Sequence, residues 1–256
     1  MFAQTPSIDR GGTVNAATNG AGQPVTAGSL VSIYGSQLAS GVALADTVPH
    51  STQLGQTSVT FNNVPAALDF VAGTQINAQV PWNVLPAGTS GSVNVVVTRN
   101  GVSSAPDPVV ITQFGPEIYA TSGHALAFIV TDPNDTARYY AFAAPAGSIQ
   151  GFRTSPARAG DVLLIYATGV GPVDSPIANG ASSSDKLRQT TTTPTILFNG
   201  TVPGTVLFAG LAPDFPGVYQ LNVRVPAGLP GNSATRLQVQ NGGITSSLNG
   251  GTIAVQ

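Results

Sequence analysis

The sequence predicts an all-β protein built from two β-sandwich domains in tandem. Two observations carry this: short β-branched and aromatic runs broken by Gly, Pro and Asn, and a pattern that occurs twice along the chain. Helical signals are weak, because no stretch keeps an i, i+3, i+4 apolar stripe over several turns without Gly or Pro. Many short strands separated by turn signals argue for sandwiches.

Taken in order, residues 1–27 are rich in Gly, Asn and Thr and hold one weak strand near Val14. They read as an N-terminal extension, serving as an edge strand or donating a strand to a neighbour. The first domain, 28–112, carries its strands at Leu30, Ile33 and Tyr34, at Val59 and Phe61, and at Val93, Val95 and Val97. The second domain, 113–256, opens with strands at Ile118 and at Ala125 to Val130. Asp132-Pro133-Asn134-Asp135 is a turn and Arg138 to Ala144 a return strand. Residues 178–194, ANGASSSDKLRQTTTTP, read as a long exposed loop between strands. Asn-Gly at 100–101, 199–200 and 241–242 sits between strand-like runs and predicts hairpins.

The duplication is explicit. GSLVSIYG at 28–35 matches GDVLLIYA at 160–167, and QINAQVP at 75–81 matches QLNVRVP at 220–226. Pro-Ala-Gly comes soon after in the first copy, at 86–88, and overlaps the motif's end in the second, at 226–228. VNVVVTRNGVSS at 93–104 then matches LQVQNGGITSS at 237–247. Such spacing is duplication of a domain and not a solenoid of short units.

Composition excludes several classes. The chain of 256 residues has 9 basic and 11 acidic side chains, 8% charged, against roughly 25% in ordinary soluble domains. Gly never recurs every third residue, so collagen is out. No run approaches the roughly 18 apolar residues of a helical membrane span. Lys186 is the only lysine and the eight arginines are scattered, so there is no nucleic-acid footprint. No cysteine is present, which removes disulfides and thiolate chemistry. MFAQTPS is not a signal peptide; its Phe2-Ala3-Gln4 resembles the remnant of a cleavage site and points to an exported chain.

Catalytic and metal chemistry find little support. His50 lies in a Pro/Ser/Thr loop and His124 at a strand start, with no G-x-S-x-G elbow, so both read as loop or turn residues. Nothing in the spacing pairs the sole glutamate, Glu117, with Asp132, Asp135, Asp161, Asp174 or Asp214. Asp132, Asn134 and Asp135 have oxygen ligands suited to calcium, but their pattern is ordinary turn chemistry. Asp161 stands where the first copy has Ser29, which predicts a local turn hydrogen bond. The sequence therefore predicts no enzyme, no cofactor and no metal.

The remaining candidates are aromatic and amide side chains. Tyr34 and Tyr166 match between copies, as do Asn77 and Asn222, which predicts structural roles. The tyrosine hydroxyls are expected to reach backbone partners and the amides to tie a loop to a strand. Trp82, Tyr139, Tyr140 and Phe142, with Phe114 and Phe215, lack counterparts. Trp82, Tyr139, Tyr140 and Phe142 are candidates for an interface or for ligand stacking, with Trp82 as a lid over the first core being the plainer reading.

The strings GQPVTAGSLVSIYGSQLAS (22–40), VTFNNVPAALDFVAGTQINAQVPWNV (59–84), PARAGDVLLIYATGVGPV (156–173) and TVLFAGLAPDFPGVYQLNVRVPAGLPGNS (205–233) resemble the Solibacter-type uncharacterised C-terminal domain of secreted acidobacterial proteins. The resemblance runs from about residue 12 to the end. It implies two tandem Ig-like/TIG modules and export, and it carries no activity or catalytic residues. The expected function is an exported structural or adhesive protein, the self-assembling subunit of an extracellular filament or surface layer. Its partners would be copies of itself, through sheet edges or the N-terminal extension. The alternative is a cell-surface carbohydrate-binding module, with surface polysaccharide as partner. Neither nucleic acid nor a membrane span is expected.

Overall fold

The computed structural model describes residues 5–20 and 22–256; Phe2-Ala3-Gln4 lies outside them. The first half contains β1 (Ser7–Asn15), β2 (Val25–Thr26), β3 (Leu30–Ser36), β4 (Ala43–Leu44), β5 (Gln53–Leu54) and β6 (Thr57–Phe61). It continues with β7 (Val64–Pro65), β8 (Ala67–Val71), β9 (Gln75–Gln79), β10 (Gly91–Arg99), β11 (Val102–Ser103) and β12 (Asp107–Thr112). The second half contains β13 (Glu117–Ile118), β14 (Ala120–Thr121), β15 (His124–Ala125), β16 (Ala127–Ile129), β17 (Val162–Thr168) and β18 (Thr195–Phe198). It ends with β19 (Val202–Pro203), β20 (Thr205–Leu211), β21 (Tyr219–Arg224), β22 (Asn232–Asn241), β23 (Ile244–Thr245) and β24 (Thr252–Val255).

Each half is a pair of sheets. One sheet of the first half runs β1-β3-β9-β8-β4 and the other β2-β12-β10-β6-β5. Alternation explains the core: Val93, Val95 and Val97 of β10 face inward with Val59 and Phe61 of β6 beside them in register. Val31 and Ile33 of β3 and Ile76 and Ala78 of β9 close the core from the opposite sheet. The second half uses β13-β17-β21-β20 and β14-β15-β24-β22-β18-β19. Its core gathers Leu163, Ile165, Ile196, Phe198, Tyr219, Leu221, Val223 and Val239.

The halves repeat in detail. Ser32 stands opposite Asn77 on β3 and β9, and Leu164 opposite Asn222 on β17 and β21. A bulge follows Leu68 on β8, and another follows Val206 at the equivalent place on β20. Ser29 and Asp161 each bond back into the turn that precedes their strand, Ser29 Oγ donating to the Thr26 carbonyl (2.8 Å) and Asp161 Oδ2 accepting from the Arg158 amide (2.7 Å). Asn62 and Asn199 each accept a backbone N–H from the neighbouring long strand, that of Asn94 (2.8 Å) and that of Arg236 (3.1 Å). The buried Ser104 and Ser246 hydroxyls likewise accept from Val97 and Val239.

The three Asn-Gly hairpins form at β10–β11, β18–β19 and β22–β23. In the first two, both central residues have positive φ, as the mirror-image turn requires. In the third the positive pair is Gly242-Gly243, one residue later than the Asn-Gly motif suggests.

The extension supplies the edge strand that the sequence offered as one reading: β1 pairs antiparallel with β3 at the edge of its sheet, and β2 pairs parallel with β12, so among the described residues this sandwich takes in strands from Ser7 onward, ahead of the boundary expected at 28. Asp107 holds β1 in place, accepting from the Thr13 hydroxyl (3.1 Å) and the Gly11 amide (3.3 Å). Residues 138–144 form no return strand. Phe142 makes only isolated bridges, because Tyr140 adopts φ 56° and breaks any ladder. The 178–194 loop is largely exposed, as expected, but Gly180, Ser183 and Arg188 within it are buried.

Candidate functional site

The halves differ most at residues 130–160, an insertion that packs on the outer face of the β17 sheet. Ile129 donates to the Ala141 carbonyl (2.9 Å) and Ala143 to that of Ala127 (2.8 Å), laying the segment along β16. Arg138 pins it down. Its guanidinium ion-pairs with Asp161 and donates to Ser155 Oγ (3.3 Å) and the Pro156 carbonyl (3.2 Å). Asp161 is buried and also accepts from the Thr131 hydroxyl (3.1 Å), a set of partners that a turn residue alone would not have.

Beneath the insertion Phe142, Ala144 and Ile149 form a small separate core with Leu126 and Phe128. A continuous line of rings results. Phe152 meets Phe142 at 5.3 Å, Phe142 meets Phe128 at 4.4 Å, Phe128 meets Tyr166 at 6.0 Å and Tyr166 meets Phe215 at 5.7 Å. The line surfaces at both ends, with Phe152 62% and Phe215 50% exposed, and Tyr140 is also 50% exposed. The Tyr166 phenol is pushed up mainly by burial, then by neighbouring Tyr140 and Asp214.

The predicted residues sort as follows. Tyr140 is an exposed surface ring in edge contact with half-buried Tyr139 (4.8 Å). Phe142 is buried, so its candidacy as a stacking ring is corrected: it supports Phe152 and Phe128 from below. Tyr166 is part of the ring line. Tyr34, its counterpart, is half-buried opposite Gln75 without such company. Asn77 and Asn222 are half-buried, and each accepts from the Gln two residues before it, Gln75 (2.8 Å) and Gln220 (3.0 Å). These amides tie side chains along one strand face; they do not anchor a loop. Phe152 and Phe128 were not legible as candidates, since only the fold brings them next to Tyr166.

Trp82 lies at the junction of the two halves. It is half-buried, packs against the second core, and its ring sits on Gly28, leaving no room there for a Cβ. Its backbone amide donates to Asn179 Oδ1 (2.8 Å), and Gly180 beside it donates to Gln79 Oε1 (2.7 Å) and accepts from His50 (2.9 Å). The start of the 178–194 loop thus docks on the first sandwich. Phe114, just after β12, lays its ring over Gly171 and Gly242 of the second half, where a side chain would collide with it. Beside Trp82 is a cleft of about 430 Å³, with Leu85 and Ile111 contributed by the first half and Val173, Pro176 and Ile177 by the second.

Titratable groups stay apart. No cluster of three or more His, Cys, Asp or Glu suited to a metal occurs among the described residues. Asp132 Oδ1 accepts from the Asn134 amide (2.9 Å), the turn chemistry its sequence suggests. Glu117 is buried and takes the Ser247 amide and hydroxyl (both 2.9 Å); burial raises its carboxyl above the ordinary value, partly offset by those bonds. His50 engages the junction through its backbone, and His124 stands opposite Thr252 at a sheet end.

In comparison with known proteins, residues 21–112 match the IPT/TIG domain, an Ig-like β-sandwich module. The match covers the first sandwich apart from β1. Modules of this kind are non-catalytic and serve generally in protein–protein interaction. No curated protein matches the chain.

Proposed function

We propose that this chain is an exported structural or adhesive protein whose two sandwiches associate with other copies of itself. The carrying observation is the aromatic line on the second sandwich, open at Phe152 and Phe215, with exposed Tyr140 and its neighbour Tyr139 as a further aromatic group of the same half. Large exposed aromatics on a sheet face favour contact with another protein surface. The first half exposes a different apolar group, Val42, Leu44 and Val48, along its β4 edge. Contact between these unlike surfaces is heterologous and continues from copy to copy unless it closes. Low charge favours such contacts, since few ions need to be desolvated.

The second sandwich is read as a diverged copy of the first, making both Ig-like; the repeated strand order and turn bonds support this. Export and a cell-surface location rest on the resemblance to the Solibacter-type family. Because β1 is bound within its own sandwich, self-association is assigned to side-chain surfaces in place of strand donation.

The test is negative-stain imaging with light scattering, comparing the wild type with Phe152→Ser/Phe215→Ser. Filaments or sheets lost in the variant, with folding unchanged, are the expected result. A wild type that stays monomeric at high concentration, or assemblies indifferent to both changes, would sink the proposal.

A further inference from the structure

We infer that the cleft at the junction is a binding site for an uncharged, ring-containing small molecule, a function separate from self-association. Its volume of about 430 Å³ falls within the roughly 300–1,000 Å³ of small-molecule sites. None of the residues lining it is ionisable. An ionic ligand would lose its hydration there and gain no counter-charge. The walls are mostly apolar, led by Trp82, Leu85 and Ile177, and this favours a flat or cyclic hydrophobic body. Asn83, Gln113 and Ser175 offer amide and hydroxyl groups that suit one or two polar substituents at its rim.

The site is formed in advance. Pro86, Pro172 and Pro176 stiffen both rims. Bonds crossing the junction hold the rims together: Trp82 to Asn179, Gly180 to Gln79, and Asn179 Nδ2 to Asn83 Oδ1 (3.1 Å). Little ordering is then required when a ligand enters. Neither half contains the cleft alone, so the site depends on the tandem arrangement.

The sole tryptophan of the chain stands in the wall, so its fluorescence reports occupancy. The probe is the neutral dye N-phenyl-1-naphthylamine, titrated into the full chain. Saturable quenching of Trp82 emission with energy transfer to the dye is expected. Filling the mouth with Ala87→Leu/Ser175→Leu should weaken binding by about tenfold or more. A sulfonated naphthylamine dye should bind at least about tenfold more weakly than the neutral one. Phe152→Ser/Phe215→Ser should leave the neutral dye's binding unchanged. The assignment is overturned by absence of quenching up to the dye's solubility limit, by undiminished binding in the filled variant, by equal binding of the charged dye, or by loss of binding in the outer-face variant.

Discussion

Replacing Arg138 by Met is expected to destabilise the second sandwich by about 3 kcal/mol. Breaking a buried ion pair from one side costs about 3–5 kcal/mol, because the remaining charge is left unpaired in a dry site. The Arg138 and Asp161 side chains are only 13% and 7% exposed, so solvent does little to compensate. The lower end of the range applies, since Asp161 keeps the Arg158 amide and the Thr131 hydroxyl as donors. Asp161→Asn should cost about 2 kcal/mol, as Arg138 retains Ser155 and the Pro156 carbonyl while losing its charge partner. The double variant should then cost about 3 kcal/mol, well short of the sum of the singles. Urea denaturation of the four proteins at neutral pH measures the coupling. A double variant that loses the full sum would show that the two groups do not act as a pair, and the account of how the insertion is held would fail.

Other perturbations probe the rest of the fold. Burial raises the Glu117 carboxyl in the folded state, so the native protein holds that proton more tightly than the unfolded chain. Its contribution therefore favours folding at acid pH and is lost as pH rises from the ordinary glutamate value through the raised folded one. Glu117→Gln should be more stable than wild type at neutral pH, with the gap closing on acidification, as followed by melting temperature against pH. Asp185, held down to about 2 chiefly by its bond with Arg188, titrates with opposite sign: its stabilisation is present above the ordinary aspartate value and lost as pH falls toward 2. Phe114→Ala should cost the second half about 2 kcal/mol by chemical denaturation, because that ring covers Gly171 and Gly242; unchanged stability would refute this. Asn62→Ala and Asn199→Ala should each cost about 1 kcal/mol by chemical denaturation, as each strips the same cross-strand acceptor from its turn. Unequal losses would argue against the equivalence of the two turns.

The sandwich strands were readable because Val93, Val95, Val97 and their counterparts alternate cleanly and end at turn residues. β1 was barely readable. Its run Ser7–Asn15 has little alternation, and what holds it is Asp107, far along the chain. The polar stretch at 178–194 is exposed over much of its length as its composition suggests, but Gly180 bonds to distant Gln79, and Arg188 is held by Pro176, Ser183 and Asp185 of its own loop, so these two can be buried. The same blindness hid the aromatic line. Phe128, Phe142, Phe152, Tyr166 and Phe215 lie in separate segments, and no local period connects them.

The matched turns and registers leave each strand with a look-alike in the other half. For a chain made this way, exchange of strands between halves is the misassembly to avoid. Every strand paired within the sheets of the first sandwich ends by Thr112, and Gly115 just beyond it accepts from the Asn15 side-chain amide (3.4 Å); the bonds from Asn179 and Gly180 join the halves and belong to neither sheet ladder. Synthesis from the N-terminus therefore lets that sandwich close before β17, the look-alike of β3, exists to compete for its partners.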